Sequence, residues 1–130
     1  MKYITKKLKE LVTDEATKLR KHATQKERLR LNFESFSPRY PQSCVYGQMT
    51  YACRSKRAVE LLDACAIPFA DNHNPSFIND KSYSGLDKEF EDTCLETVYS
   101  PIEVYICFNG RAKNEHLLAY IRGDVDKLEL

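Results

Sequence analysis

Apolar residues recur at helical spacing through the first 23 residues of the chain. Neighbouring members of this stripe are one, three or four positions apart, and they are Ile4, Leu8, Leu11, Val12, Ala16, Leu19 and Ala23. Most of the intervening lysines fall on the other side of a helical wheel. The pattern predicts an amphipathic helix from near Lys2 to near Thr24. Thr13 could cap a second helix that begins at Asp14, so a break at that point stays open.

Two later stretches alternate between apolar and polar or mixed positions, which is typical of a strand with one buried face. Residues 29–34 read Leu-Arg-Leu-Asn-Phe-Glu, and residues 101–108 read Pro-Ile-Glu-Val-Tyr-Ile-Cys-Phe. Asn109-Gly110, which follows the second stretch, is a tight-turn dipeptide. The sequence therefore predicts two short strands.

Two further helices carry clear end signals. Ser55 is a suitable N-cap for a helix over residues 56–66, and Gly123 is a suitable C-cap for a helix over residues 112–122. Residues 86–95 form a third, acidic helix candidate. Gly47 leaves residues 44–52 undecided between helix and irregular structure. Residues 67–85 are rich in Pro, Asn, Asp, Ser and Gly, which predicts a long loop.

These elements together predict one α+β domain that spans residues 1–130, rich in helix, in which a small sheet is covered by helices. The sheet would contain 29–34 and 101–108. The core is predicted to contain Ile4, Leu8, Leu11, Leu19, Leu61, Leu62, Ile102, Val104, Ile106, Leu117 and Ile121.

Composition limits the environment and the chemistry. No apolar run approaches the ~18 residues of a membrane span, and Met1–Glu10 has no apolar core of the kind found in export signals. We therefore expect a cytoplasmic protein that does not engage a membrane, with its five cysteines reduced. The cysteines form no close pair of the kind that zinc sites use, and the four glycines form no phosphate-binding loop. No metal and no cofactor are expected.

Charge is divided unevenly along the chain. Residues 1–34 carry a net charge of +5, residues 35–66 carry +2, and residues 67–130 carry −6. This division predicts either attraction between the two ends within the fold or separate basic and acidic surfaces for different partners.

Arginines, lysines and tyrosines are concentrated in and around residues 38–66. Tyrosine and arginine are the side chains that the centres of protein interfaces favour, and they can also stack on nucleic-acid bases. The predicted partner-binding residues are Lys18, Lys21, Arg28, Arg30, Arg39, Tyr40, Tyr46, Tyr51, Arg54, Lys56 and Arg57.

These features predict a small non-catalytic binding protein. The run Cys-Val-Tyr-Gly-Gln-Met-Thr at residues 44–50, followed by a Ser-capped helix, resembles small phage proteins, although it identifies no family. The resemblance implies an inhibitor or adaptor. Its expected partner is a nucleic-acid-handling protein such as a defence nuclease, a protein–nucleic-acid complex, or the nucleic acid itself. Its oligomeric state is not indicated.

The alternative hypothesis is a cysteine-dependent hydrolase or transferase. Cys44 follows a Pro-Gln-Ser turn and could stand at the start of a helix, whose N-terminus lowers the pKa of a thiol. His73 or His116 could then act as the general base.

Overall fold

A computed structural model describes residues 6–36, 42–52, 55–65 and 100–130, and the account below concerns those ranges. They contain six α-helices and one 3₁₀ turn. The helices are α1 (Lys6–His22), α2 (Gln25–Arg28), α3 (Val45–Thr50), α4 (Lys56–Ala64), α5 (Pro101–Phe108) and α6 (Arg111–Arg122), and the 3₁₀ turn is Phe33–Ser35.

The predicted sheet is wrong. No strand occurs within the four described ranges, so the prediction of an α+β fold is corrected to a helical arrangement. Both segments that were expected to form strands adopt helical or turn conformations instead.

Residues 101–108 form helix α5 because its first turn is well capped. The Ser100 hydroxyl accepts the backbone N–H of Glu103 at 3.3 Å, and Pro101 occupies a first-turn position that needs no donor. The alternation in this segment does not separate a buried face from an exposed one, since every residue from Pro101 to Ile106 is buried. A helix that is buried on all sides carries no clear 3.6-residue stripe.

Residues 29–34 are held by local backbone bonds. The N–H of Leu29 bonds the Gln25 carbonyl at 2.9 Å, and the N–H of Leu31 bonds the Arg28 carbonyl at 3.2 Å. These bonds end α2 and use N–H groups that a strand would donate to its neighbour. The alternation also fails as a guide to burial, because Leu31 is buried whereas Leu29 is 55% exposed.

Helix α1 is continuous through Thr13 and packs against α4, α5 and α6. Its apolar stripe enters a core whose buried members include Leu8, Leu19, Leu61, Leu62, Ile102, Val104, Ile106, Leu117 and Ile121. Nine of the eleven predicted core residues are thus confirmed. Leu11 is half-buried, and Ile4 lies outside the described residues.

The remaining helix predictions are confirmed where they can be compared. Ser55 caps α4 by accepting the N–H of Ala58 at 3.2 Å, and Gly123 closes α6 with a φ of 94°, a conformation that glycine tolerates well. The undecided segment contains helix α3. The predicted loop at residues 67–85 and the acidic helix at 86–95 lie outside the described residues.

Candidate functional site

The most unusual buried group is the carboxyl of Glu15, on the apolar stripe of α1. Glu15 is 1% exposed. The Tyr46 hydroxyl of α3 donates to its Oε2 at 2.5 Å, and the Ile102 backbone N–H, in the first turn of α5, donates to its Oε1 at 2.9 Å. One carboxyl group therefore joins three helices.

The acid–base behaviour of the Glu15 carboxyl is governed by its burial. Among the residues that the structure describes, no basic side chain forms an ion pair with Glu15. Desolvation raises the pKa of Glu15 to about 7, although hydrogen bonds from Tyr46 and Ile102 act in the opposite direction. Burial also raises the pKa of Tyr46, and it raises the pKa of the nearby Cys65 thiol to about 12.

Several predicted contact residues instead hold the fold together. Arg57 makes two bonds to the Glu27 carboxylate, from Nε at 2.8 Å and from Nη2 at 2.9 Å. Arg57 thereby lowers the pKa of Glu27 to about 2. Arg28 donates to the carbonyls of Ile121 and Arg122 at 3.0 and 3.2 Å, where α6 leaves its last carbonyls without helical partners.

A second feature lies at the surface, where α3 ends. Tyr51 is 69% exposed, and its backbone has a left-handed φ of 74°. The Arg30 guanidinium lies 4.2 Å from the centre of the Tyr51 ring and also donates to the Met49 carbonyl at 2.6 Å. The neighbouring Leu29 is 55% exposed. We call Leu29, Arg30 and Tyr51 the Tyr51 surface.

Three lysines lie on the elements beside the Tyr51 surface. Lys21, Lys26 and Lys56 are all exposed. The bonds from Arg57 to Glu27 and to the His22 carbonyl bring the start of α4 against the end of α1 and against α2. The ends of α1 and α2 and the start of α4 therefore lie together, and we call the three lysines the basic rim.

The other predicted contact residues are buried, paired within the fold or outside the described residues. Tyr46 is buried, so its ring is not available at the surface. Lys18 is half-buried and pairs with Asp14 at 2.8 Å. Arg39, Tyr40 and Arg54 lie outside the described residues. From the predicted set, Arg30 and Tyr51 are in contact, and Lys21 and Lys56 lie on the helix ends that Arg57 joins.

The thiol-enzyme hypothesis receives little support from the surroundings of Cys44. Cys44 does stand at the start of a helix, and its Sγ accepts the Gly47 N–H at 3.4 Å. Its side chain is only 2% exposed, however, and a nucleophile must reach its substrate. Of the two proposed bases, His73 lies outside the described residues, and the Nε2 of His116 accepts the Glu129 N–H at 3.1 Å.

Metal and membrane features were also sought in the described ranges. No group of three or more His, Cys, Asp and Glu side chains there could hold a metal ion. Within the same ranges, no helix has both the length and the apolarity needed to cross a bilayer.

Sequence reasoning did not single out Glu15 or Leu29. Glu15 could have been found, because it lies three residues after Val12 and four before Leu19 and so interrupts the apolar stripe with an acid. Leu29 gave no such signal, since its exposure follows from the turn that replaces the predicted strand.

Comparisons with known proteins provide no assignment. No protein family matches the chain, no curated protein is similar to it, and no solved structure resembles its fold.

Proposed function

We propose that this chain is a small non-catalytic binding protein that docks on another protein through the Tyr51 surface. The observation that carries the proposal is the exposed Tyr51 ring, which is held in place by the stacked Arg30 guanidinium although its backbone adopts an unfavourable left-handed conformation. Left-handed backbone costs an ordinary residue about 1–2 kcal/mol, and such strain is often found at functional sites.

The Tyr51 surface has the composition of an interface centre. Tyrosine and arginine are enriched among the residues that contribute most to binding, and a pre-ordered side chain loses less entropy when a partner arrives. Arg30 is ordered in advance, because its guanidinium contacts both the Met49 carbonyl and the Tyr51 ring. Leu29 adds exposed apolar area beside it.

The basic rim indicates a partner with an acidic surface. Lys21, Lys26 and Lys56 are exposed, whereas Arg28 and Arg57 are occupied by contacts within the fold. Three free lysines are few for a nucleic-acid site, since binding strength grows with the number of phosphates that are neutralised. Exposed apolar area also favours protein over nucleic acid, so a protein partner fits better.

We propose that the partner is a nucleic-acid-handling protein and that this chain is an inhibitor or adaptor of phage type. A groove that holds nucleic acid is basic and would repel the basic rim. An acidic patch away from that groove is the complementary surface. The cytoplasm remains the expected compartment, in keeping with the expectation of reduced cysteines.

The test is affinity capture from host lysate, with and without nuclease, using the wild type, Tyr51→Gly and Leu29→Ser. Tyr120→Leu is the matched control, because Tyr120 also stacks against an arginine, Arg20 at 4.4 Å, but is half-buried.

The proposal predicts a captured protein that survives nuclease, is retained by Tyr120→Leu and is lost with both surface variants. Loss on nuclease treatment would indicate nucleic-acid binding instead. Equal capture by Tyr51→Gly and the wild type would place the contact elsewhere, and the absence of any captured protein would contradict the proposal.

A further inference from the structure

The carboxyl of Glu15 lies apart from the proposed binding surface, and the proposed function makes no use of it. Among the described hydrogen bonds, it is nevertheless the one point where a side chain of α1 bonds both Tyr46 of α3 and the first turn of α5. A buried carboxyl that serves only packing could be replaced by an apolar side chain, often without loss of stability. Its position at a three-helix junction calls for a separate explanation.

We propose that Glu15 is a proton-sensitive latch whose protonation state sets how firmly the start of α5 is held against α1 and α3. The proposal rests on the geometry of the junction: one buried carboxyl group, hydrogen bonds to it from Tyr46 of α3 and from Ser100 and Ile102 at the start of α5, and no cation in contact among the described residues.

The protonated form satisfies the junction without a buried charge. One carboxyl oxygen accepts the Ile102 N–H, and the carboxyl O–H donates to the Tyr46 oxygen, so this hydrogen bond reverses its direction. The Tyr46 hydroxyl is then free to donate to the Cys65 sulfur, with which it has a hydrogen-bonding contact. Every polar group named here has a partner in this arrangement, and the latch is closed.

The ionised form holds a negative charge in the core. Its stabilisation comes from the Tyr46 hydroxyl and from the N-terminal end of α5, and neither is a full positive charge. Water that reaches the carboxylate would relieve the desolvation, and it can do so if the start of α5 moves away. Ionisation therefore loosens the latch.

Among the described residues, the polar and titratable groups around the junction supply no cation to Glu15. They are Asp14 and Lys18 from α1, Tyr46 from α3, Cys65 at the end of α4, and Ser100 and Glu103 at the start of α5. Lys18 pairs with Asp14, and Asp14 adds negative charge near Glu15. Burial and Asp14 favour the protonated form of Glu15, whereas the hydrogen bonds from Tyr46, Ile102 and Ser100 favour the ionised form, and burial is the larger effect.

The sign of the pH dependence follows from the raised pKa. The unfolded chain loses the Glu15 proton near pH 4.5 and the folded chain loses it near pH 7, so stability falls as pH rises across this window. At tenfold per pKa unit, the folding equilibrium constant falls on the order of 100-fold through this group.

The first test measures hydrogen-exchange protection of the Ile102 amide at pH 5.5 and pH 8 in the wild type and in Glu15→Gln, which mimics the protonated acid. Between pH 5.5 and pH 8, the protection factor of the Ile102 amide should fall at least tenfold more in the wild type than in Glu15→Gln. Glu10→Gln, which changes an exposed carboxyl of the same helix, should behave as the wild type does. Identical pH dependence in the wild type and Glu15→Gln would overturn the latch.

The second test uses only the wild-type protein, so it does not depend on whether a variant folds. Carbon NMR of the wild type, with the Glu15 and Glu103 signals assigned separately, should show the Glu15 carboxyl titrating near pH 7. Titration of Glu15 near pH 4.5 would overturn the proposal. Neither test involves the Tyr51 surface, so the outcome is independent of the proposed function.

Discussion

Two regions of this molecule reverse the usual distribution of polarity. At the Glu15 junction a carboxyl group is buried in the core, and at the Tyr51 surface two large apolar side chains stand in solvent. Buried polar groups and exposed apolar patches are the informative departures in a folded protein, because the reverse placements are ordinary. The two regions nevertheless differ in the contacts that hold their side chains in place.

The Glu15 carboxyl is held by buried hydrogen bonds, whereas the Tyr51 ring is held by a stacking contact at the surface. Glu15 bonds Tyr46 and Ile102 from two other helices, but Tyr51 has a stacking contact with Arg30 and a strained backbone. Substitutions at the Glu15 junction should therefore change the stability of the fold, whereas substitutions at the Tyr51 surface should change binding alone. Four substitutions test this contrast, in order of decreasing effect on stability.

Glu15→Ala should have the largest effect. It leaves the Ile102 N–H buried without its acceptor, at a cost of about 1–3 kcal/mol, it removes the bond to the Tyr46 hydroxyl, and it opens a cavity. We expect a loss of about 3 kcal/mol in the free energy of unfolding, measured by urea denaturation at pH 6. Glu10→Ala, at an exposed position, should change it by less than ~0.5 kcal/mol. A loss below ~1 kcal/mol for Glu15→Ala would show that the junction is not structural.

Tyr46→Phe should cost about 2 kcal/mol at pH 8 and less at pH 5. At the higher pH the ionised Glu15 loses a charge-assisted bond, whereas at the lower pH the acid is neutral. The same denaturation series at both pH values measures the difference. An equal loss at the two values would contradict the assignment of the titration to Glu15.

Arg57→Ala should cost about 1–2 kcal/mol at pH 7, since the Arg57 side chain is 38% exposed and solvent screens part of the pair. The pKa of Glu27 is lowered, so the contribution of the pair is present above pH 4.5 and disappears as pH falls towards 2. Acid denaturation of the variant and the wild type should therefore converge. Lys127→Ala, at a largely exposed ion pair, is the control and should cost less than ~0.5 kcal/mol.

The helices with clear end signals were predictable from sequence, and the error in fold class has a local cause. Ser55 and Gly123 marked α4 and α6 correctly. At residues 101–108, period-two alternation was given more weight than Ser100, Pro101 and Glu103, which together form an N-terminal helix signal of the kind Ser-x-x-Glu. Alternation predicts a strand only when it separates two environments, and α5 is buried on all sides.

The proposed binding surface was less predictable than the helices with clear end signals. Basic residues were expected to contact a partner, but Arg28 and Arg57 lie opposite carbonyls and a carboxylate that are distant in sequence. Pattern alone does not show which arginines a fold uses internally. Tyr51 was named among the candidate residues, yet nothing in its neighbourhood separated it from the buried Tyr46.

Tyr51→Gly provides the most direct test of the central claim, which is that the Tyr51 ring is displayed for a partner and not required by the fold. Glycine relieves the left-handed strain at φ 74°, while the loss of an exposed stack on Arg30 costs about 0.5–1 kcal/mol. The account predicts that the free energy of unfolding stays unchanged or rises by up to ~1 kcal/mol in urea denaturation at pH 7. A loss of more than ~1 kcal/mol would show that the fold depends on Tyr51 and would contradict the claim.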